Sequence, residues 1–224
     1  MCEICRAPLQ IETGFIYENF SNDNTEFQNL GLGTTLLRYG VWDNFELRLG
    51  GYYQQSNVKS EDFNVDSTQS GMGPVLAGFK VYVVEEKGFR PEISILADIT
   101  LNSVGKLSYR PSYTYSTIKV SASHTLSNFF SLGYNLGIAS DGEAPSSFFV
   151  YSLVVGMSLA ERLGGFAEIY GNSPEGGYPN TKIDGGLTYL ILPNLQVDVS
   201  GGVGLDGSMN MYFVSCGITW RIPR

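Results

Sequence analysis

Residues 184–205 read DGGLTYLILPNLQVDVSGGVGL. After the Leu192-Pro193-Asn194 break, Val197, Val199, Gly201 and Val203 alternate with Gln196, Asp198, Ser200 and Gly202. A period of two belongs to a strand with two unlike faces. The break predicts a hairpin that pairs Ile191 with Leu195. Tyr189 then faces Val197, Leu187 faces Val199 and Thr188 faces Asp198. Apolar meets apolar and polar meets polar, as a fixed register requires.

The same alternation extends in both directions. Ile93, Ile95, Ala97 and Ile99 alternate with Glu92, Ser94, Asp98 and Thr100; Tyr212, Val214, Cys216, Ile218 and Trp220 alternate with Phe213, Ser215, Gly217, Thr219 and Arg221. Breaks between such segments predict twelve strands, at 8–20, 27–39, 45–57, 72–84, 89–101, 110–123, 128–139, 147–159, 164–172, 180–191, 195–205 and 210–222. Spread over 224 residues, that is about 19 residues per strand and connection, long for a soluble sandwich with strands of about 5–6. It suits tilted membrane strands with about 9–11 spanning residues. Connections after even strands are short (40–44, 85–88, 124–127, 160–163, 192–194). Most of those after odd strands are longer and more polar (57–71, 102–109, 140–146, 172–179). That is the plan of a bacterial outer-membrane barrel, with short periplasmic turns and longer outer loops.

Composition agrees. The chain has 27 Gly, 14 Tyr and 13 Phe, with 16% charged residues and a net charge of −8. Plentiful apolar residues exclude disorder, and no apolar run approaches the roughly 18 residues of a spanning helix. A nucleic-acid partner is not expected without a basic footprint. Three cysteines are too few for a disulfide scaffold. The expected fold is therefore all-β: a transmembrane antiparallel up-and-down β-barrel of about 12 strands over residues 9–222. A soluble lipocalin-like binder of small molecules, with its apolar face inside, is the alternative. The polar face is rich in Gly and Ser, which favours a confined lumen over a solvated exterior.

That polar face supplies the candidate lumen charges: Glu12, Arg38, Glu46, Arg48, Lys80, Arg90, Glu92, Asp98, Lys119, Glu168, Asp184, Asp198 and Arg221. Both signs occur, so inward ion pairs are expected, as structural filling or as a substrate constriction; an unpaired charge there is costly. In the hairpin near residues 41–43, Arg38 is expected opposite Glu46 and Tyr39 opposite Phe45. That register turns Leu30 and Leu32 inward unless a bulge lies near Gly31 or Gly33. Aromatic residues near strand ends form the candidate interface girdle: Tyr39, Trp42, Phe45, Tyr113, Tyr115, Phe129, Phe130, Phe148, Phe149, Tyr151 and Trp220.

Other chemistry is sparse. Cys2 and Cys5 form a lone Cys-x-x-Cys, short of the four ligands that zinc needs. His124, near Ser123, Ser127 and Asn128, sits at a turn and does not predict an enzyme. No cofactor or metal is expected. Residues 1–8, MCEICRAP, carry no apolar signal-peptide core; a missing or truncated start is expected.

Several stretches together resemble one known family: LQIETGFIYE at 9–18, TLLRYGVWDNFELRLG at 35–50, FSLGYNLG at 130–137, FAEIYG at 166–171, the opening stretch at 184–205, and FVSCGITWR at 213–221. The family is described as Putative MetA-pathway of phenol degradation, a family of bacterial outer-membrane proteins. The resemblance implies a transmembrane barrel that carries small, often aromatic, compounds. Taken with the strand pattern, the expectation is a channel or transporter for passive passage of small, aromatic or hydrophobic solutes, monomeric and surrounded by outer-membrane lipid. Gly217, Trp220 and Ile222 in the last strand resemble the signal read by the barrel-assembly machinery. A structural or surface-interaction barrel with a plugged lumen is the remaining alternative.

Overall fold

A computed structural model describes residues 9–61, 64–144, 146–205 and 210–222. Residues 1–8, with Cys2 and Cys5, lie outside them. The strands are β1 (Leu9–Ser21), β2 (Thr25–Trp42), β3 (Phe45–Ser60), β4 (Val65–Met72), β5 (Val75–Val84), β6 (Glu92–Leu101), β7 (Tyr115–Thr125), β8 (Phe130–Ala139), β9 (Phe148–Ala160), β10 (Leu163–Ser173), β11 (Asn180–Leu192), β12 (Leu195–Gly204) and β13 (Asn210–Ile222). Each pairs antiparallel with its neighbours, and the first and last pair from Leu9↔Ile222 to Ser21↔Asn210, which closes the sheet into a barrel. β4 and β5 are two pieces of one strand, both paired with β3. Pro74 separates them because it has no N–H to give the ladder; the Gly73 N–H still donates to the Tyr52 carbonyl at 2.9 Å. Counted together, they make the wall twelve-stranded.

The strands differ from the sequence reading where alternation fails. Residues 57–71 are not a long loop. They are mostly a hairpin, with Val58 opposite Ser67 and Ser60 opposite Val65. Asp66, Thr68 and Ser70 make its outer face polar and Ser67 and Gln69 its inner one, so no apolar period marks it. β6 starts at Glu92, not 89, and β7 at Tyr115, not 110. Pro91 and Pro111 precede those starts, and residues 107–109, within the expected connection, form a 3-10 turn.

Register follows the bulges. Gly33 has φ of +60°, and around it Gly14 pairs with Thr34 while Phe15 pairs with Leu32. Glycine supplies the left-handed position of such a bulge at no steric cost. The bulge turns Leu30 and Leu32 outward, to the side of Tyr17 and Phe15. In the next hairpin Arg38 lies opposite Arg48, and Tyr39 opposite Leu47, rather than Glu46 and Phe45. That correction is a shift of two residues, so every side chain keeps its face. In the opening hairpin Leu187↔Val199, Thr188↔Asp198 and Tyr189↔Val197 pair, but Leu192, not Ile191, meets Leu195 because the ladder shifts there.

The two faces of the wall are inverted relative to a soluble protein. Leu47, Leu49, Phe79, Ile118, Leu136, Leu153, Val199 and Val214 are exposed on the outside. No Asp, Glu, Lys or Arg occupies an outward position in β5–β13, nor in β1–β3 between the turn end and Tyr17, Leu30 and Tyr53. Among the described strand residues, outward charges appear only beyond that band, at Glu26, Lys59 and Asp66. Among the described residues no large side chain is fully buried. The barrel is held by its ladder and its inner face rather than by a packed apolar core.

Candidate functional site: the barrel lumen

The inner face carries a continuous ladder of ion pairs. Arg38 donates to Glu12 at 2.9 Å and to both oxygens of Glu46, at 2.8 and 3.1 Å. Arg48 lies 3.6 Å from Glu46 and donates to Asp98 at 3.2 Å. Five charges on β1, β2, β3 and β6 thus form one chain. Glu46, at its centre, is only 5% exposed. A planar guanidinium can serve two carboxylates at once, which an ammonium cannot do with the same geometry.

The ladder crosses β5 because that strand offers a glycine. Gly78 lies between Arg48 and Asp98 in the pairing, and a Cβ on it would collide with the Asp98 carboxylate. Gly78→Val therefore cuts the Arg48–Asp98 contact and costs about 1–3 kcal/mol, as overpacking does. A urea-unfolding midpoint equal to that of the parent would remove this role. Other lumen glycines seat large rings. A Cβ on Gly186 would lie 2.6 Å from the Phe166 ring, and one on Gly202 2.6 Å from that of Phe213.

The opposite wall is different. Glu168 and Asp184 are opposite one another on β10 and β11, and Asp198 on β12 lies along Gly217, with a carboxylate oxygen 2.8 Å from where a Cβ would stand. Among the described residues none of these three makes an ion pair, and one buried oxygen of Asp184 has no hydrogen-bond partner. Lys80, Glu92, Lys119 and Arg221 also share the inward face. Arg90 does not: it stands exposed in the turn after β5, its Nε donating to the Glu85 carbonyl at 3.1 Å. The strand begins two residues later, so inward counting does not reach it. In the same turn, hydrogen bonds from the Thr125 N–H and hydroxyl to Glu86 hold its carboxyl below the usual range.

The aromatic set divides between the faces. Tyr39, Trp42, Phe129, Phe130, Phe149 and Trp220 are exposed on the outside or at the turns, as is Tyr113 in its loop. Phe45 stacks on Phe79 at 5.8 Å and meets Trp42 at 5.5 Å with the rings tilted. Tyr151 is also outward and bonds Thr181 at 2.6 Å. Tyr115 and Phe148 leave the girdle. Tyr115 pairs with inward Thr100, and Phe148 with Ala139, in the same row as Asp98 and Thr117. Counting back by twos from Lys119 and Val150 identifies both. The residue reading missed Tyr52, Phe166 and Lys182, which also face inward; the Lys182 ammonium lies 5.7 Å from the centre of the Phe20 ring. His124 is on the outside, stacked on Tyr134, and Cys216 is exposed on the outer face.

These walls enclose a cavity of about 800 Å³. Glu12, Arg48, Asp198, Gln196 and Thr188 give it polar walls; Leu36, Leu76, Ile16, Phe166, Tyr52 and Tyr115 give it apolar ones. Such a mixed lining can hold a small uncharged molecule by its apolar surface while a few polar groups orient it.

The profile of the family described as Putative MetA-pathway of phenol degradation matches residues 9–222. No curated protein matches the sequence. Among solved structures, the COG4313 outer membrane channel from Pseudomonas putida F1 is similar, with a TM-score of 0.71 at 10% identity, covering 96% of this chain and 95% of that one. The CymD monoaromatic hydrocarbon channel has a TM-score of 0.57 at 10% identity, covering 98% and 90%. The KdgM porin has 0.52 at 12% identity, covering 93% and 99%. At these identities the likeness is one of fold.

Proposed function

The chain belongs to the family described as Putative MetA-pathway of phenol degradation, and from that premise we propose that it is a bacterial outer-membrane channel for passive passage of small solutes. The observation that carries this reading is the inverted wall: a closed barrel, apolar outside, around a polar cavity of about 800 Å³. Outer-membrane lipid is the partner that an uncharged outer band fits. A barrel closed on itself needs no second copy to cover an edge. β13 presents Trp220 outward at its end and is the strand offered to the barrel-assembly machinery. Small aromatic or hydrophobic solutes are the cargo class that the lumen's Leu36, Leu76, Phe166, Tyr52 and Tyr115 support. The ladder neutralises Arg38 and Arg48 in place, so they do not bind a passing anion strongly.

Purified protein in planar bilayers is expected to conduct, and proteoliposomes to swell in small solutes. A protein tight to both ions and solutes sinks the channel reading and favours a structural barrel. The unpaired carboxylates predict the sign of the ion preference. Asp184→Asn together with Glu168→Gln shifts the reversal potential in a salt gradient toward anions, because fixed charge in a narrow pore recruits its counterion. An unchanged reversal potential takes these two groups out of the ion path.

A further inference from the structure

We propose that residues 102–114, the connection between β6 and β7, form the constriction of this pore and set the size of solute that passes. The inference rests on the channel reading above. Its basis is where the segment lies. The Lys106 N–H donates to the Met72 carbonyl at 2.8 Å, and its ammonium to the Ser70 carbonyl at 2.7 Å. The Tyr109 hydroxyl donates to the Gln69 carbonyl at 2.9 Å and lies 3.4 Å from the Ser56 hydroxyl. All of these partners belong to the β3–β4 hairpin.

The segment is on the inside of that hairpin. Ser56 and Gln54 continue the inward set that runs up β3 from Glu46 and Arg48, and they pair with Gln69 and Gly71. A Cβ on Gly71 would stand 2.9 Å from the Lys106 Cβ, so the lysine stem occupies the space over the inner face. Gly105 makes the approach possible. Its φ is +102°, and a Cβ there would lie 2.6 Å from the Gly73 carbonyl oxygen; a side chain would meet strain and a clash with fixed backbone at once. The 3-10 turn Leu107–Tyr109 follows after Lys106, which caps it.

A loop designed to stand in water would not spend backbone carbonyls of a neighbouring hairpin on its own N–H, ammonium and phenol. Folded inward, it narrows the loop end of the barrel above the cavity that Tyr52 and Tyr115 line. The hydrogen bonds hold it as a fixed rim rather than a free tether. A rim of this kind sets selectivity by bore and by the groups that line it.

Two variants test this against the parent protein in planar bilayers and liposome swelling. One replaces residues 104–110 with a short Gly-Ser link; the other is Gly105→Val, which expels the segment with the wall untouched. A control shortens the exposed 174–178 connection. Heat-modifiable mobility on a gel selects the variants that form barrels, and either loop variant alone is sufficient. The expected result is a several-fold rise in single-channel conductance and entry of larger sugars, with the control unchanged. If the parent conducts and the loop variants match it, the channel reading stands and the constriction is overturned. If the parent is silent and the variants conduct, the segment is the closure and free passage through the parent is overturned. If all are silent, both readings fall. If the control rises as much as the loop variants, the constriction is overturned as well.

Discussion

Arg38→Ala is expected to lower the stability of the barrel more than any other single change in the lumen. Among the described residues Arg38 alone links Glu12 to the rest of the ladder, and it gives Glu46 two hydrogen bonds. Its side chain is 14% exposed and that of Glu46 is 6% exposed, so water cannot readily replace what is lost. Removing one partner of a buried pair costs about 3–5 kcal/mol, because the other charge stays buried and uncompensated. Glu12 is more open, at 32%, and Arg48 stays near Glu46, which places the cost near the lower end, about 3 kcal/mol. With a slope of about 2 kcal/mol per molar, the urea midpoint falls by roughly 1.5 M. Arg38→Ala combined with Glu46→Ala recovers part of that loss, since it removes the orphaned carboxylate. A single variant with the parent's midpoint would show that the ladder is solvated in the lumen and holds nothing together.

The second large effect separates the two faces of one strand. Val199 is 53% exposed on the outer face of β12. Ser200, its neighbour, faces inward and bonds Ser215 at 2.7 Å. In a bilayer Val199→Arg sets a charge against hydrocarbon, at about 2–4 kcal/mol near the midplane. Ser200→Arg loses one hydrogen bond of about 1 kcal/mol and puts its charge in the lumen, where water and Asp198 are close by. The expected result is that Val199→Arg depresses refolding into lipid vesicles while Ser200→Arg folds and changes conductance instead. The reverse ranking would mean that the apolar face is the inside, as in a soluble binder.

Much of this barrel is readable from the chain because each wall position meets only one of two environments. Alternation located all twelve wall strands, and the short turns paired them. The reading failed where the environments converge. β4 is polar on both faces, so its sequence, VDSTQSGM, carries no apolar period. Tyr115 and Phe148 look like any aromatic residue at a strand end, and only the parity of their own strands turns them inward. The hairpin register at Arg38 was off by two, an error that the hydrophobic pattern cannot detect because an even shift exchanges no faces. Its correct value depends on where the ladder shifts between Gly40 and Trp42.

The sequence by itself therefore determined the fold class, the number of wall strands, the facing of most residues and the presence of both charge signs inside. Those follow from period, connection length and residue type, all local along the chain. Only the tertiary structure decided which charges meet. Arg48 and Asp98 are separated by 50 residues, and their contact depends on Gly78 leaving the space between them open. It also decided that residues 102–114 turn into the mouth, because that course is set by carbonyls of a hairpin some 40 residues away, such as the Gln69 acceptor of Tyr109. Local pattern reports which solvent a side chain prefers. Which partners it finds across a closed wall depends on strand order, shear and the gaps that glycines leave, and those exist only once the barrel has closed.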